Sequence, residues 1–348
     1  MINVGIIGLG RSGWELHASP LTKFHQFRVV SAYDPSRSRL DRAVAEFGLR
    51  PCADAASLVE DAELQLVVVA APSHLHASLS VAALEAGKHV VVEKPMALTL
   101  ADAEKMLAAA DKCRRILTVF HNRRWDRDYQ MLKRMVRDDV LGELLTLDSR
   151  VMTFGPEWTT YGVPEFNPQW RIQAAYGGGF LADWGPHLVE QCLDLVEAMP
   201  ETVCCQLRSQ LWATEVEDYF HIRLTFPLGL VATLEGSNNA RLPLPRWFVA
   251  GRKGTLIAEG GWGRWTEMRV RGSVAGMASD LLPREAGPSS GTRNYDVGEE
   301  LSACFYDDLA EAIQTGRPPA ISVQRARQVM MILDAARRSH AERTTVRL

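Results

Sequence analysis

The stretch INVGIIGLGRSG, residues 2–13, decides the fold of the amino-terminal part of this chain. Its apolar start predicts a short strand, a G-x-G-x-x-G motif follows at once, and the segment from Trp14 to Phe24 is compatible with a helix. Gly8 permits a tight turn, Gly10 lets a pyrophosphate approach the backbone, and Gly13 lets helix and strand pack closely. The motif therefore predicts a dinucleotide-binding loop at a helix N-terminus, made of Gly8, Leu9, Gly10, Arg11, Ser12 and Gly13.

An acidic residue after the second predicted strand indicates which dinucleotide binds. This strand runs from Arg28 to Tyr33 and leads into Asp34, 21 positions after Gly13, where a carboxylate accepts hydrogen bonds from a ribose 2′-hydroxyl. Asp34 would repel a 2′-phosphate, which favours NAD as the cofactor. Arg37 and Arg39 keep NADP open as an alternative, because a guanidinium pairs with a phosphate through two hydrogen bonds.

The chain up to residue 121 alternates between strand and helix patterns, which predicts an α/β fold with a doubly wound parallel Rossmann sheet. From Asn122 the alternation stops, and after Leu144 strands follow one another at short spacing. This change predicts a second, α+β domain with an open, mainly antiparallel sheet. We expect an NAD(P)-binding domain at 1–121 and a substrate-binding and oligomerisation domain at 122–348. Residues 272–298 include 11 Gly, Pro or Ser among 27 and predict a mobile surface excursion.

The strand Val90-Val91-Val92 leads directly into Glu93-Lys94-Pro95. Pro95 has no backbone N–H and ends the strand pairing, so the strand delivers an acid and a base to the carboxyl edge of the sheet. Ligands of open α/β sheets bind at that edge, which makes Lys94 the candidate reaction centre. A solvated Glu-Lys pair at a strand end is the alternative.

A second loop is predicted at the same sheet edge, after the strand from Gln65 to Ala70. We predict that it contributes either cofactor contacts or a helix cap. His74 and His76 have no further His, Cys or carboxylate cluster at ligand spacing beside them, so no metal site is predicted. The cofactor-side candidates in this loop are Ala71, Pro72, Ser73 and His76.

Asp183 and His187 are four residues apart in a segment whose apolar residues recur at helical spacing. On a helix both side chains share one face, and proton transfer to or from an alcohol needs such a carboxylate and imidazole. An Asp near a helix start and a core His are the alternative reading. The preceding Gly177-Gly178-Gly179 allows close backbone approach and favours the functional reading.

Composition narrows the classes of partner. The 348 residues carry 39 basic and 42 acidic side chains, a net charge of -3, which gives no electrostatic footprint for nucleic acid or an anionic membrane. The apolar runs are too short to span a bilayer, and the chain opens straight into a strand pattern, so no signal peptide is expected. Six cysteines without a C-x-x-C motif predict a reduced, cytoplasmic protein. A small-molecule partner is therefore favoured.

Together these residues resemble the Gfo/Idh/MocA family of NAD(P)-dependent sugar and polyol oxidoreductases. The resemblance covers essentially the whole chain. It is carried by the glycine motif, Ala86-Gly87-Lys88-His89-Val90-Val91-Val92-Glu93-Lys94-Pro95, Trp170-Arg171, the triple glycine and Asp183-x-x-x-His187. One segment is most similar to the scyllo-inositol dehydrogenase branch of the family, which uses NADP: His121-Asn122-Arg123-Arg124-Trp125-Asp126. Asp34 departs from the pattern of that branch.

The resemblance implies roles for individual residues. Lys94 holds the reacting oxygen and stabilises alkoxide charge, His187 is the general base, and Asp183 orients substrate hydroxyls. The peptide bond before Pro95 is expected to be cis. Weaker candidates are Glu93, Asn122, Trp170 and Arg171 on the cofactor side, and Arg124 and Trp170 on the substrate side. Trp158 is a further substrate-side candidate because it lies in an aromatic-rich loop, for which a small satellite core is the alternative.

The activity implied is hydride transfer between a secondary alcohol of a cyclic polyol or sugar and a nicotinamide cofactor. Two alternatives remain: a non-catalytic, NAD(P)-sensing, sugar-binding regulator, and a redox-neutral enzyme that cleaves glycosides or dehydrates sugars with bound NAD. Family members associate through the open face of the second sheet, which implies a homodimer or homotetramer.

Overall fold

A computed structural model describes residues 1–156, 169–259, 269–274 and 297–348 of this protein. Trp158 and residues 275–296, which make up most of the predicted excursion, lie outside the described residues. The chain divides into two compact units. The first consists of Met1–Trp125, the described part of Glu157–Gly178, and Val297–Met331; the second consists of the described parts of Asp126–Pro156, Gly179–Asp296 and Ile332–Leu348.

The first unit is built on a parallel sheet of six strands. They lie at Ile2–Ile7 (β1), Phe27–Tyr33 (β2), Arg50–Pro51 (β3), Leu66–Val69 (β4), His89–Val92 (β5) and Leu117–Val119 (β6), in the order β3-β2-β1-β4-β5-β6. The strands β4 and β5 are continuous Val and Leu runs because a parallel sheet is buried on both faces. The predicted doubly wound sheet is confirmed. Its switch point lies between β1 and β4, where such folds bind ligands.

The helices of this unit begin at capping side chains. Ser36, Asp54 and Thr99 each accept a hydrogen bond from the third residue of the helix that follows. The predicted helix from Trp14 to Phe24 is wrong in detail: the chain is π-helical at Ser12–Ala18 and continues as one α-helical turn. A proline inside that turn lacks an N–H and limits the α-helical ladder there. The helices are Ser19–Leu21 (α1), Arg37–Phe47 (α2), Ala55–Val59 (α3), His76–Glu85 (α4) and Leu100–Cys113 (α5).

The first unit also contains helix α8, Val297–Thr315, although this helix follows the second sheet in sequence. Phe305 and Tyr306 are buried, and their ring centroids lie 4.8 and 6.2 Å from that of Phe120. Leu309 is part of the same core. The burial of these apolar side chains explains why α8 groups with the Rossmann sheet, whereas the sequence pattern assigns it to the second domain.

The second unit is built on a mixed sheet of eight strands. They lie at Leu144–Met152 (β7), Thr202–Arg208 (β8), Tyr219–Thr225 (β9), Val231–Ser237 (β10), Trp247–Gly251 (β11), Gly254–Glu259 (β12), Arg269–Val274 (β13) and Val346–Arg347 (β14). Their order is β13-β12-β11-β7-β10-β9-β8-β14. Only β7 and β10 pair in parallel among these strands, so the predicted, mainly antiparallel sheet is confirmed.

One face of this sheet is buried and the other is more open. Phe220, Ile222 and Leu224 alternate along β9 with half-buried or exposed residues, so the buried set faces a single core. Helix α7, Phe180–Val196, packs on β7, β9 and β10. The other helices are α6, Arg127–Arg137, and α9, Val323–Glu342, within which the division between the units falls. No helix in the described part of the chain is long and apolar enough to cross a membrane.

Candidate active site

The glycine loop after β1 has the geometry of a pyrophosphate cradle. Gly8 has a φ of +95°, and a Cβ there would lie 2.6 Å from the carbonyl oxygen of Ala70. A Cβ on Gly13 would overlap the carbonyl oxygen of Gly8. Among the described residues, a Cβ on Gly10 would meet only Nη1 of Arg39, at 3.8 Å, so the backbone there is open to an approaching phosphate. The loop fits a bound dinucleotide.

Asp34 is buried, and its carboxylate accepts two backbone hydrogen bonds and forms one ion pair. The N–H of Leu9 donates to Oδ2 at 2.7 Å, the N–H of Ser36 donates to Oδ1 at 2.8 Å, and Nη2 of Arg39 lies 3.1 Å from Oδ1. Arg39 is buried, whereas Arg37 is exposed and pairs within its own helix. Of the two arginines predicted near the ribose, Arg39 is therefore the one held beside Asp34 and the glycine loop.

The chain leaves β5 through Glu93 and Lys94, and the Lys94–Pro95 peptide bond is cis, as expected from the resemblance. Glu93 is buried, and its Oε2 accepts a hydrogen bond of 3.1 Å from the backbone N–H of Lys94. Lys94 is half-buried at the carboxyl edge of the sheet. The acid therefore lies inside the unit, and the lysine follows it at the ligand-binding edge.

The loop after β4 is tied to this segment by His76. Its Nδ1 lies 2.7 Å from the carbonyl oxygen of Pro95, and its Nε2 lies 2.9 Å from that of Ala71. Burial lowers the pKa of His76, although both carbonyl contacts act to raise it. Both ring nitrogens are thus occupied by backbone oxygens, and His76 joins the two loops. Ser73 is buried in the same loop, and Pro72 is half-buried.

Behind Glu93 lies a buried polar chain that the sequence analysis did not predict. His17 Nε2 is 3.2 Å from Oε1 of Glu93, and His17 Nδ1 is 2.7 Å from the hydroxyl of Tyr306. Burial acts to raise the pKa of Glu93, but the interaction with His17 and the charge of Lys94 outweigh it and hold that pKa below its ordinary value. In the sequence, the position of His17 four residues after Gly13 could have indicated a place near the glycine loop. No sequence feature near Tyr306 indicated its role.

Asn122 and Arg124 lie in a short 3-10 helix, Asn122–Trp125, and both are buried. Arg124 Nη1 donates to the carbonyl oxygen of Ala320 at 2.6 Å, which fastens the connection between α8 and α9 to this segment. Burial, with the charges of Arg124 and Lys94, lowers the pKa of His121 to about 3. This histidine is therefore uncharged at neutral pH.

Trp170 and Arg171 belong to the first unit, beside the cofactor-side loops. The guanidinium carbon of Arg171 lies 4.7 Å from the Trp170 ring centroid, a cation–π distance. The same segment packs its Tyr176 ring against His74, with centroids 5.2 Å apart. A Cβ on Gly177 would overlap Leu98, which follows the Glu-Lys-Pro segment. The structure thus packs the segment that follows these two predicted nicotinamide-side residues against the loops after β4 and β5.

In the second unit, Asp183 and His187 both lie in α7, as the spacing predicted. His187 is buried, and its ring centroid is 5.6 Å from that of Trp184. The helix starts against Glu217, whose backbone oxygen accepts from the N–H of Phe180 at 2.8 Å and whose Oε1 accepts from Leu181 at 3.0 Å. Burial raises the pKa of the Glu217 carboxyl. This cap on α7 was missed by sequence reasoning, because it comes from the loop before β9.

No group of three or more His, Cys, Asp or Glu side chains is placed to hold a metal ion within the ranges that the structure describes. The groups suited to chemistry are instead a lysine at the dinucleotide-binding edge of one unit, and a carboxylate with an imidazole on one helix face of the other. Such groups serve proton transfer and stabilisation of an oxyanion.

Two family models match the chain. The description "Oxidoreductase family, NAD-binding Rossmann fold" matches residues 2–121, and the GFO/IDH/MocA C-terminal domain matches residues 129–257. The chain belongs to the GFO/IDH/MocA oxidoreductase family. The resemblance drawn from the motifs is confirmed, and the matched ranges include Lys94, Asp183 and His187.

Relatives match all or most of the chain. Scyllo-inositol 2-dehydrogenase (NADP(+)) IolW of Bacillus subtilis is 29% identical over 360 residues, which cover 100% of this chain and 96% of that protein. The uncharacterized oxidoreductase YdgJ of Escherichia coli is 33% identical over 261 residues, 74% of this chain and 71% of that one. The solved structure of the oxidoreductase YvaA of Bacillus subtilis, 26% identical, has a TM-score of 0.85 and covers 100% of this chain and 98% of its own.

Proposed function

We propose that this protein is an NAD(P)-dependent dehydrogenase that transfers a hydride between a secondary alcohol of a cyclic polyol or sugar and the nicotinamide. The observation that carries the proposal is the presence of Lys94 at the edge of an NAD-binding sheet together with Asp183 and His187 on one helix, in an oxidoreductase family. The full-length similarity to a scyllo-inositol 2-dehydrogenase favours an inositol-like substrate.

Each of the three residues has a role that its chemistry suits. The Lys94 ammonium donates a hydrogen bond to the reacting oxygen and stabilises the negative charge that develops there. His187 takes the hydroxyl proton during oxidation and returns it during reduction. Asp183 accepts hydrogen bonds from neighbouring hydroxyls and so orients the ring. The bound nicotinamide supplies the hydride acceptor.

Lys94→Ala is expected to lower kcat by about 10²–10³-fold, because it removes the donor that stabilises the oxyanion. Cofactor binding, measured by the fluorescence of added NADH, should be largely kept. Lys105→Ala is the matched control, since Lys105 is an exposed lysine on α5 that pairs with Asp102. Near-normal turnover of a polyol by Lys94→Ala would refute the assigned role.

His187→Asn is expected to remove the acidic limb of the pH–rate profile of alcohol oxidation, because the group that must be deprotonated to accept the proton is gone. His25→Asn, a change at an exposed histidine of the first unit, should leave the profile unchanged. The profile is measured as kcat/KM from pH 5 to 10. A His187→Asn profile that overlays the wild type contradicts the role of His187 as base.

A panel of inositols and aldoses, read at the NADH absorbance, separates the main proposal from its two alternatives. A dehydrogenase yields net NADH or NADPH in proportion to alcohol oxidised. A redox-neutral enzyme changes the sugar without net reduced cofactor, and a sensing regulator binds sugar without changing it. Detection of net reduced cofactor with any member of the panel selects the dehydrogenase.

For the cofactor itself we propose NAD, with NADP as the second candidate. Asp34 beside the glycine loop favours a free 2′-hydroxyl. The observation that supports NADP is the buried Arg39, whose guanidinium lies next to both Asp34 and Gly10.

We further propose that the protein is a cytoplasmic homodimer or homotetramer that associates through the open face of the second sheet. That face carries half-buried ionic groups, with Arg150 Nη2 2.6 Å from Asp148 and Arg150 Nε 3.4 Å from Glu235. Such a partly polar surface suits contact between two copies. All five cysteines of the described side chains are free thiols, which fits a reducing compartment.

A further inference from the structure

A buried chain of three polar side chains stands behind Lys94 in the first unit. The hydroxyl of Tyr306 contacts His17 Nδ1, and His17 Nε2 contacts the carboxylate of Glu93. All three are buried, and the rings of Phe120 and Phe305 pack around them. Burying polar groups costs free energy unless each is satisfied, and apolar residues of the same size would pack here without that cost. Packing alone therefore does not account for the chain.

The chain of hydrogen bonds has a direction. Within the described residues, the one hydrogen-bond partner of the Tyr306 hydroxyl is His17 Nδ1. Burial and the charge of Glu93 raise the pKa of Tyr306 well above its ordinary value, so the phenol keeps its proton. A buried hydroxyl places that proton in a hydrogen bond, which makes Nδ1 the acceptor and leaves the ring proton on Nε2, facing Glu93.

Glu93 is consequently held at both oxygens. Oε1 accepts from His17 Nε2 at 3.2 Å, and Oε2 accepts from the backbone N–H of Lys94 at 3.1 Å. A carboxylate that accepts two N–H donors is stabilised in its ionised form. The Glu93 anion is therefore fixed in position directly beside the backbone of Lys94.

Two further titratable groups near this pair, among the residues that the structure describes, are His76 and His121. Glu93 interacts electrostatically with both, as does Lys94. Burial lowers the pKa of His76, and it lowers the pKa of His121 to about 3 with help from Arg124. Burial disfavours the charged form of both rings, and the Glu93 anion interacts with His17 and with the Lys94 cation.

We propose that Tyr306 and His17 are positioning residues for Lys94: they hold the Glu93 carboxylate ionised and in place, and this carboxylate holds the Lys94 ammonium protonated. The inference rests on the proposed function in taking Lys94 as the group that meets the reacting oxygen. A protonated lysine donates to a developing alkoxide, whereas a neutral amine stabilises it far less. The alkaline limit of turnover is thus set from a helix, α8, that contains none of the proposed catalytic residues.

The test measures the titration of Lys94 itself in the full-length protein. Lysines are reductively ¹³C-methylated, and the Lys94 resonance is assigned by its loss in Lys94→Arg. We expect His17→Leu and Tyr306→Phe each to lower the Lys94 titration midpoint by about one pH unit, or roughly tenfold in proton affinity. The alkaline limb of kcat in the unmethylated enzyme should move by the same amount. His17→Gln keeps one donor and one acceptor and should restore both values.

Tyr129→Phe is the matched control, because Tyr129 is a buried tyrosine of the second unit whose hydroxyl bonds Asp194. It should leave the Lys94 titration unchanged. Thermal unfolding checks each variant, and Tyr306→Phe, which changes one atom, decides the matter if His17→Leu does not fold. An unaltered Lys94 titration in the folded variants overturns the inference. Absence of polyol turnover in the wild type would instead contradict the proposed function. The Lys94 titration would still test whether Tyr306 and His17 act on Lys94 through Glu93.

Discussion

The three motif glycines after β1 are each required for a different physical reason. Gly8 adopts a positive φ and lies against the backbone of Ala70, so any side chain is both strained and obstructed. Gly13 lies against the carbonyl of Gly8, which fixes the approach of helix to strand. A Cβ on Gly10 would meet no backbone atom within 4 Å among the described residues, so its lack of a side chain suits the approach of a ligand. The sequence motif predicted all three roles.

At the residue scale, we propose that Asp34 and Arg39 set the preference between NAD and NADP. Asp34→Ala is expected to raise kcat/KM for NADP relative to NAD by roughly tenfold, because it removes a negative charge near the 2′-phosphate and releases Arg39 to pair with it. Arg39→Ala is expected to lower kcat/KM for NADP with less effect on NAD. Both ratios are measured by steady-state kinetics with the same polyol.

Arg37→Ala is the control for this pair, since Arg37 is exposed and pairs with Asp41. It should leave the ratio of NAD to NADP use unchanged. A shift with Arg37→Ala and none with Arg39→Ala would mean that the exposed arginine reaches the phosphate and that the buried one does not.

At the scale of elements, the start of α7 shows why a triple glycine precedes Asp183. Gly179 has a φ of +115°, and a Cβ there would overlap the carboxyl of Glu217. A Cβ on Gly178 would overlap the carbonyl of Arg171. Gly179 therefore lets Glu217 reach the first turn of the helix, where its carboxyl accepts from a backbone N–H that has no partner within the helix.

Glu217→Ala is expected to destabilise the protein by about 1–2 kcal/mol, because it removes a cap from α7. Turnover should fall as well, since the helix carries Asp183 and His187. Glu217→Gln keeps an acceptor and should retain most of both properties. Chemical denaturation and polyol turnover measure the two effects, and Glu215→Ala, at an exposed glutamate of the same loop, is the control. Equal stability of Glu217→Ala and wild type would exclude the cap.

The difference in the free energy of unfolding between the wild-type protein and Glu217→Gln should also depend on pH. Burial raises the pKa of Glu217 in the folded state above its ordinary value of about 4.5. A folded state that holds its proton more tightly is stabilised below pH 4.5, and that contribution is lost as the pH rises through the folded pKa. The free energy of unfolding of wild type should therefore decline relative to Glu217→Gln between pH 4 and neutrality.

At the scale of the whole molecule, the open face of the second sheet is the proposed contact between copies. Thr233→Arg adds a bulky charge at the centre of that face, between Asp148 on β7 and Arg223 on β9. We expect the sedimenting species to fall from a dimer or tetramer to a single chain. Glu46→Arg, at an exposed position of α2, should leave the mass unchanged. A Thr233→Arg protein that keeps the wild-type mass contradicts the proposed interface.

The sequence by itself determined the Rossmann sheet, the glycine loop, the edge position of Lys94 and the helix shared by Asp183 and His187. These features are set by local periodicity and by backbone requirements of single residues, both of which are readable along the chain. It also predicted the open, mainly antiparallel second sheet from strands at short spacing.

Tertiary structure alone decided which distant residues complete each part. Tyr306 reaches His17, which in turn contacts Glu93, only because α8 packs into the core of the first unit, and Glu217 caps α7 only because the loop before β9 folds back on it. The choice of Arg39 over Arg37 beside Asp34 was likewise made by burial. Burial of apolar surface brings together residues far apart in sequence, and no periodic pattern records which of them will meet.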